Sequence, residues 1–426
     1  MSGLVARPDR RPGRLACVLL LALTLLLGSC RSSPAPPPPP APVDSGSLAA
    51  AQASLDHLTA AVRGRDQLAF RRQLSTADPA FAATASRIFD VGELPLTSLS
   101  LTVRRAEGRL SAARQTLLGG RGYVRQVSVR WAVAGDVAPA EHLIWFTFVP
   151  EGGTVAIAGI TDGPDGDIAQ PLWLLERLHA ERRDHVTVLA GASRPLGPWL
   201  TRADAAAAAV HQRLGAGLRS RWNGQLVVEL PSSRSAFERV LGVSAGSYAQ
   251  IAAVSWPEGP DAATAAVRIV VNPALAGAAD EQGLAVLLAH EATHVALRSS
   301  SSPAPTWLIE GYADYLAYDA YPRTAPLAAR ALLETVRRSG APTRLPGDAD
   351  FTPGSPQLSR AYAESWLACR YLADVYSPER LGRFYDLIDG GAGVDQASRA
   401  VFQVTEREFT VGWAHSLREA AKRGKV

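Results

Sequence analysis

Apolar side chains between residues 48 and 74 recur every three or four positions, at Leu55, Leu58, Ala61, Val62, Leu68, Phe70 and Leu74, and predict a helix with one face turned inward. Residues 79–89 predict a second. The pattern then turns strand-like. Runs at 99–103, 123–133, 142–149 and 154–160, separated by Gly and Pro, predict antiparallel strands, with Val124, Val127, Val129 and Trp131 marking the longest. Farther on, 186–189 and 226–230 read as strands around a helix at 201–218, which Thr201 can cap and which five consecutive Ala at 205–209 favour. Residues 267–271 are another strand, open to either an edge or an interior place in its sheet. From 284 onward the helical period dominates, at 284–297, 307–316, 326–338, 362–376, 378–389 and 406–422.

Charge and composition change the picture at the N-terminus. Arg7, Arg10, Arg11 and Arg14 precede an apolar stretch, 15–27, too short to span a bilayer comfortably, which is the layout of an export signal. The stretch ends in Leu27-Gly28-Ser29-Cys30, which resembles the bacterial lipobox, where the chain is cut before a Cys that then carries lipid. Residues 1–29 are therefore expected to be a lipoprotein signal peptide and Cys30 the lipidation site. Residues 30–46, nearly all Ser, Ala and Pro in their centre, are expected to form an extended linker holding the folded part off a membrane surface. The location expected is the extracytoplasmic face of the cell membrane. Removing 1–29 takes four Arg and one Asp from totals of 44 basic and 40 acidic residues, leaving 40 and 39. That near-neutral chain has no clustered basic run to support nucleic-acid binding. Of the Cys, only Cys369 then keeps a free thiol; flanked by Trp366, Leu367 and Tyr371, it is expected to be a small buried apolar residue. About 380 residues remain, enough for two domains of ordinary size. These are expected at 47–180 and 185–426, with the charged run 176–184 at the junction.

The candidate chemistry lies in the helix predicted at 284–297, which holds His290, Glu291 and His294. At 3.6 residues per turn the two His stand one turn apart on one face, close enough for both imidazoles to reach one metal ion. Glu291 is rotated by about 100° and comes beside that ion, in reach of a water it holds. The spacing is the H-E-x-x-H zinc pattern. Sixteen residues after His294 comes Glu310, in a second helical run entered through Pro303 and Pro305. It can complete a site of three protein ligands with a fourth position for water, while Asp314, one turn on, can hold the free ring N–H of a ligand His.

At these residues the chain resembles the gluzincin metallopeptidases, specifically the peptidase MA-like group. The resemblance covers roughly 185–426 and is specific between 284 and 316. It implies Zn2+ held by His290, His294 and Glu310, Glu291 as general base, and Asp314 as support of the ligand set. No third His follows His294 at two or three turns and the only Met is Met1, which sets the chain apart from metzincins. No Gly-x-Met-x-Asn segment links it to the large aminopeptidases. In related peptidases a Tyr or His from the later helices donates a hydrogen bond to the oxyanion on the scissile carbonyl; Tyr362 stands where this is expected, if it does not simply pack between helices, and His415 is the alternative. Helices followed by a curved antiparallel sheet over 47–180 resemble the cone-shaped NTF2-like domains, without a clustered acid–base pair. His57, His142 and His179 are expected to be surface or singly hydrogen-bonded, and His185 and His211 have no partners at ligand spacing. The whole implies an α+β lipoprotein: an NTF2-like domain, then a gluzincin-type domain with a mostly helical C-terminal part. It would be a zinc peptidase acting on a peptide or protein substrate through a metal-bound water activated by Glu291. A catalytically silent binding or scaffold lipoprotein on the same fold is the competing expectation, against which stands the glutamate base that a structural zinc site does not need. A metal-dependent hydrolase of a non-peptide substrate is a third.

Overall fold

The computed structural model describes residues 45–425 except 165–167, 192–194, 278–279 and 353. The expected signal peptide, the Cys30 lipid site and most of the expected linker lie outside the described residues. Helix α1 (Ser45–Gly64) buries Leu55, Leu58 and Val62. The helical run expected at 48–74 is broken after it. Arg65 takes a left-handed φ of 54°, and Asp66 accepts a hydrogen bond from Ala69 N at 2.9 Å, starting a separate helix, α2 (Gln67–Arg71). A side-chain oxygen at the cap satisfies an N–H that a continuous helix would have bonded internally, so the break carries little cost. Next come α3 (Phe81–Asp90) and an antiparallel sheet of β1 (Leu96–Gly108), β2 (Tyr123–Val133), β3 (Ala140–Glu151) and β4 (Thr154–Gly159), in that order across the sheet. Helix α4 (Ala112–Leu117) lies in the β1–β2 connection. Cross-strand register aligns Leu101, Val129 and His142, and beside them Leu99, Trp131 and Ala140, so all six side chains share one face.

After α5 (Leu172–Leu175) a second sheet begins with the hairpin β5 (Leu178–Arg183) and β6 (Val186–Gly191). Helices α6 (Gly197–Arg213) and α7 (Ala216–Arg219) lead to β7 (Leu226–Leu230); α8 (Arg234–Leu241) leads to β8 (Ala253–Glu258) and β9 (Ala266–Val271). The order is β5-β6-β7-β9-β8: the three middle strands are parallel, and both edges are antiparallel to their neighbours. The run at 267–271 is thus interior, and the edge nearest the candidate chemistry is β8. The hydrophobic pattern marks neither edge strand. β5 ends in exposed Glu181, Arg182 and Arg183, while β8 contains Pro257 and Glu258; charge and Pro are what edges tolerate and what hides them from a hydrophobic pattern.

The second sheet is a middle layer. Val188, Val228, Ile269 and Val271 share a core with α6 and with helix α10, described below. From the opposite face Leu189, Val227, Val254 and Val270 join Val129, Trp131, Ile144 and Phe146 of the first sheet in one continuous core. That second interface also contains charge. Arg268 of β9, fully buried, meets Asp136 at 2.7 Å, Glu229 at 2.9 Å and Glu258 at 3.2 Å. Its guanidinium lies 3.8 Å from the Trp131 ring centroid, and His142 contacts Glu258 at 3.0 Å.

The rest is helical: α9 (Pro273–Ala276), α10 (Glu281–Leu297), α11 (Thr306–Ala320), α12 (Ala325–Ser339), α13 (Leu358–Tyr376), α14 (Pro378–Asp389), α15 (Val394–Phe402) and α16 (Glu406–Arg423). The chain is thus a mixed α+β protein with a helical C-terminal part. Among the described residues no helix is long and apolar enough to cross a membrane.

Candidate metal centre

Helix α10 starts where Asp280 accepts from Gly283 N at 2.6 Å, and it is apolar on nearly every side, with Leu284, Leu287, Leu288, Ala289, Ala292 and Ala296 all buried. A helix with no polar face is taken inside, and its two His go with it. His290 and His294 are 3 % and 1 % exposed, and their Nε2 atoms lie 2.9 Å apart. From α11, Glu310 brings Oε2 to 3.3 Å from His290 Nε2 and 3.4 Å from His294 Nε2. Three ligands about 2.0–2.1 Å from one ion at tetrahedral angles stand roughly 3.3 Å from each other, so two of the three edges already have the length an ion would impose. These three buried residues can hold a metal ion.

The outward ring nitrogens are committed elsewhere. His290 Nδ1 donates to Asp314 Oδ1 at 2.8 Å, and His294 Nδ1 pairs with Ser299 Oγ at 3.1 Å. With both Nδ1 atoms as donors, two Nε2 lone pairs face each other, an arrangement that is favourable only with a proton or a cation between them. The protonation preferences say the same. Burial would depress the His290 imidazole, but the Asp314 and Glu310 carboxylates override it and hold the ring well above the ordinary histidine value. His294 is lowered, by burial first and by the neighbouring His290, against the pull of Glu310. Burial would raise Glu310, yet the two imidazoles bring it down to about 2.

Glu291 is fully buried, one residue round the helix. Burial pushes its carboxyl up to about 8, opposed by His290 and by a hydrogen bond from Ser255. Ser255 Oγ stands 2.8 Å from Glu291 Oε2, while Oε1 has no hydrogen-bond partner. A nearby dication favours the ionised form of such a carboxyl and so works against the effect of burial.

Tyr362 comes from α13. It is 6 % exposed, its ring centroid is 6.3 Å from that of His290, its hydroxyl hydrogen-bonds Glu310, and the ring of Phe351 packs edge-on against it at 5.5 Å. This closeness depends on Gly311, whose missing Cβ would sit 2.4 Å from the Ser365 carbonyl oxygen of α13. His415 is exposed on α16, away from the buried cluster, and Cys369 is buried beneath Gly311. Of the remaining His, His57 is exposed, His142 belongs to the Arg268 cluster and His185 pairs with Asp204 at 3.1 Å.

Two polar residues at the centre, Ser299 and Ser255, stand outside the motif that the sequence displays. Ser299 reaches His294 because Arg298, with a φ of 48°, ends α10 in a left-handed turn that folds the chain back. The Ser run at 299–302 directly after an apolar helix was the available signal. Ser255 has none, since it lies on strand β8, which no alternation of apolar residues marks. No protein-family model and no curated protein matches this chain. The functional reading therefore rests on the geometry of His290, Glu291, His294 and Glu310.

Proposed function

We propose that this chain is a zinc-dependent peptidase of the gluzincin type, with an NTF2-like N-terminal part, anchored through Cys30 to the extracytoplasmic face of a membrane. The observation that carries the reading is the convergence of two imidazole nitrogens and one carboxylate oxygen within 4.8 Å of one another, with a buried carboxyl that has one unpartnered oxygen on the same helix turn. Two nitrogens and one oxygen favour zinc over the hard cations that prefer all-oxygen sets. Zinc, when bound, supplies Lewis acidity that polarises a carbonyl and makes water more acidic. Glu291 Oε1 takes a proton from the attacking water as its oxygen bonds the scissile carbon, then returns it to the amine as the C–N bond breaks. Tyr362, which approaches the cluster on the Glu310 side, donates to the oxyanion developing on that carbonyl. A lasting structural site would have no use for Glu291 in the apolar interior, where an unpaired carboxyl costs stability.

Metal analysis and peptide-library profiling of the purified chain test the reading together. One zinc per chain is expected, lost in His294→Ala, with library cleavage that stops on chelation and returns with added zinc. Undiminished zinc in His294→Ala refutes the ligand assignment, and a zinc-loaded chain that cleaves nothing refutes the peptidase.

A further inference from the structure

Glu291 sits in a rigid helix but its side chain has rotatable bonds, and a general base works only when its free oxygen is held at the reacting proton. The edge strand β8 supplies the holding group. Ser255 pairs with Ile269 of β9 in the register that turns its side chain toward α10, and it is 2 % exposed. Its hydroxyl lies 2.8 Å from Glu291 Oε2 and 2.9 Å from the Glu291 backbone oxygen. A hydroxyl has one hydrogen to give. The backbone oxygen lies inside α10 and already accepts from the amide four residues on, whereas Oε2 is a buried carboxylate oxygen for which a donor matters far more. We infer that Ser255 is the positioning residue of Glu291: it fixes Oε2 and thereby leaves Oε1 as the only oxygen free to exchange protons with water and substrate. The inference deepens the peptidase reading and rests on it for its consequence in turnover. The hydrogen bond itself is testable without any activity.

In the full chain, Ser255→Ala is expected to lower kcat about tenfold with KM and zinc content unchanged. Ser255→Thr, which keeps the hydroxyl, is expected to recover most of that loss. In a Glu291→Gln background the same Ser255→Ala change is expected to cost nothing further in kcat. Independently of turnover, urea unfolding of Ser255→Ala, Glu291→Ala and the double variant, all after chelation, should give midpoint shifts that are not additive, because either single change breaks the same bond. Additive shifts overturn the inference, as does an unchanged kcat in Ser255→Ala or a Ser255→Thr variant no better than Ala. If the parent cleaves no peptide while the shifts are non-additive, the peptidase reading fails and the Ser255–Glu291 bond stands.

Discussion

Each of the two imidazoles turns one nitrogen to the cluster and the other to an outer partner, and the two partners differ in kind. Asp314 is a carboxylate at 2.8 Å from His290, whereas Ser299 is a neutral hydroxyl at 3.1 Å from His294. A charge-assisted bond fixes the ring tautomer and raises its donor strength more than a neutral one. Asp314→Ala is therefore expected to weaken zinc binding by about ten- to a hundredfold, and Ser299→Ala by less, in competition titrations against a chelator. Equal losses would contradict the ranking. The Asp314 partnership was legible because it sits one helical turn after Glu310, a spacing the sequence displays directly. Ser299 was not, because its place depends on the left-handed turn at Arg298, a conformation disfavoured for a residue with a side chain and not announced by any Gly.

Helix α10 and helix α11 were readable near the cluster, since an unbroken apolar run followed by Pro303 and Pro305 leaves few alternatives, but not to their ends: α10 begins earlier, at Glu281 after its Asp280 cap, and α11 runs on to Ala320. The close approach of α13 to α11 was not readable: a Cβ on Gly311 would lie 2.4 Å from Ser365 O and 2.6 Å from its carbonyl carbon. Backbone cannot yield locally, so Gly311→Ala should separate the two helices at a cost of about 1–3 kcal/mol, the range for overpacking. Glu310 and Tyr362 are on opposite sides of that contact. Turnover should accordingly fall more than zinc content does. Thermal unfolding, zinc analysis and kcat on one preparation check this, and an unchanged melting temperature with full activity would contradict it. The strands were less legible than the helices: β9 and β7 announce themselves by Val and Leu, but β8, the strand that touches Glu291, mixes Ser255, Pro257 and Glu258 and defeats any period-two reading.

On the scale of the whole molecule, the two sheets share one apolar core, beside which Arg268 is surrounded by carboxylates. Burial, and then repulsion by Glu258, pushes Glu229 well above the usual carboxylate range, while Glu258, despite its burial, is held low by Arg268 and His142. The cluster thus spreads its charge between β7, β8 and β9 on one side and the β2–β3 region on the other. Removing only the cation strands the anions in a dry interior. Arg268→Met is expected to destabilise the chain by about 3–5 kcal/mol, against roughly 0–1 kcal/mol for Arg104→Ala, whose pairing with Glu141 is half exposed. Urea unfolding measures both, and a loss for Arg268→Met as small as that for Arg104→Ala would mean the cluster does not fasten the two sheets. No sequence pattern could have shown this, because Asp136, Glu229, Glu258 and Arg268 are scattered over more than a hundred positions and each reads singly as a surface charge.

In the proposed reaction Glu291 moves the proton while His290, His294 and Glu310 only hold the ion. Steady-state turnover and zinc content of Glu291→Gln, measured beside the parent on a peptide the parent cleaves, separate these two roles. Gln keeps the shape and can still accept from Ser255, but it has no basic oxygen, so zinc should remain at one per chain and the fold intact while kcat falls roughly a hundredfold or more. Full turnover by Glu291→Gln with one bound zinc would mean that Glu291 is not the base.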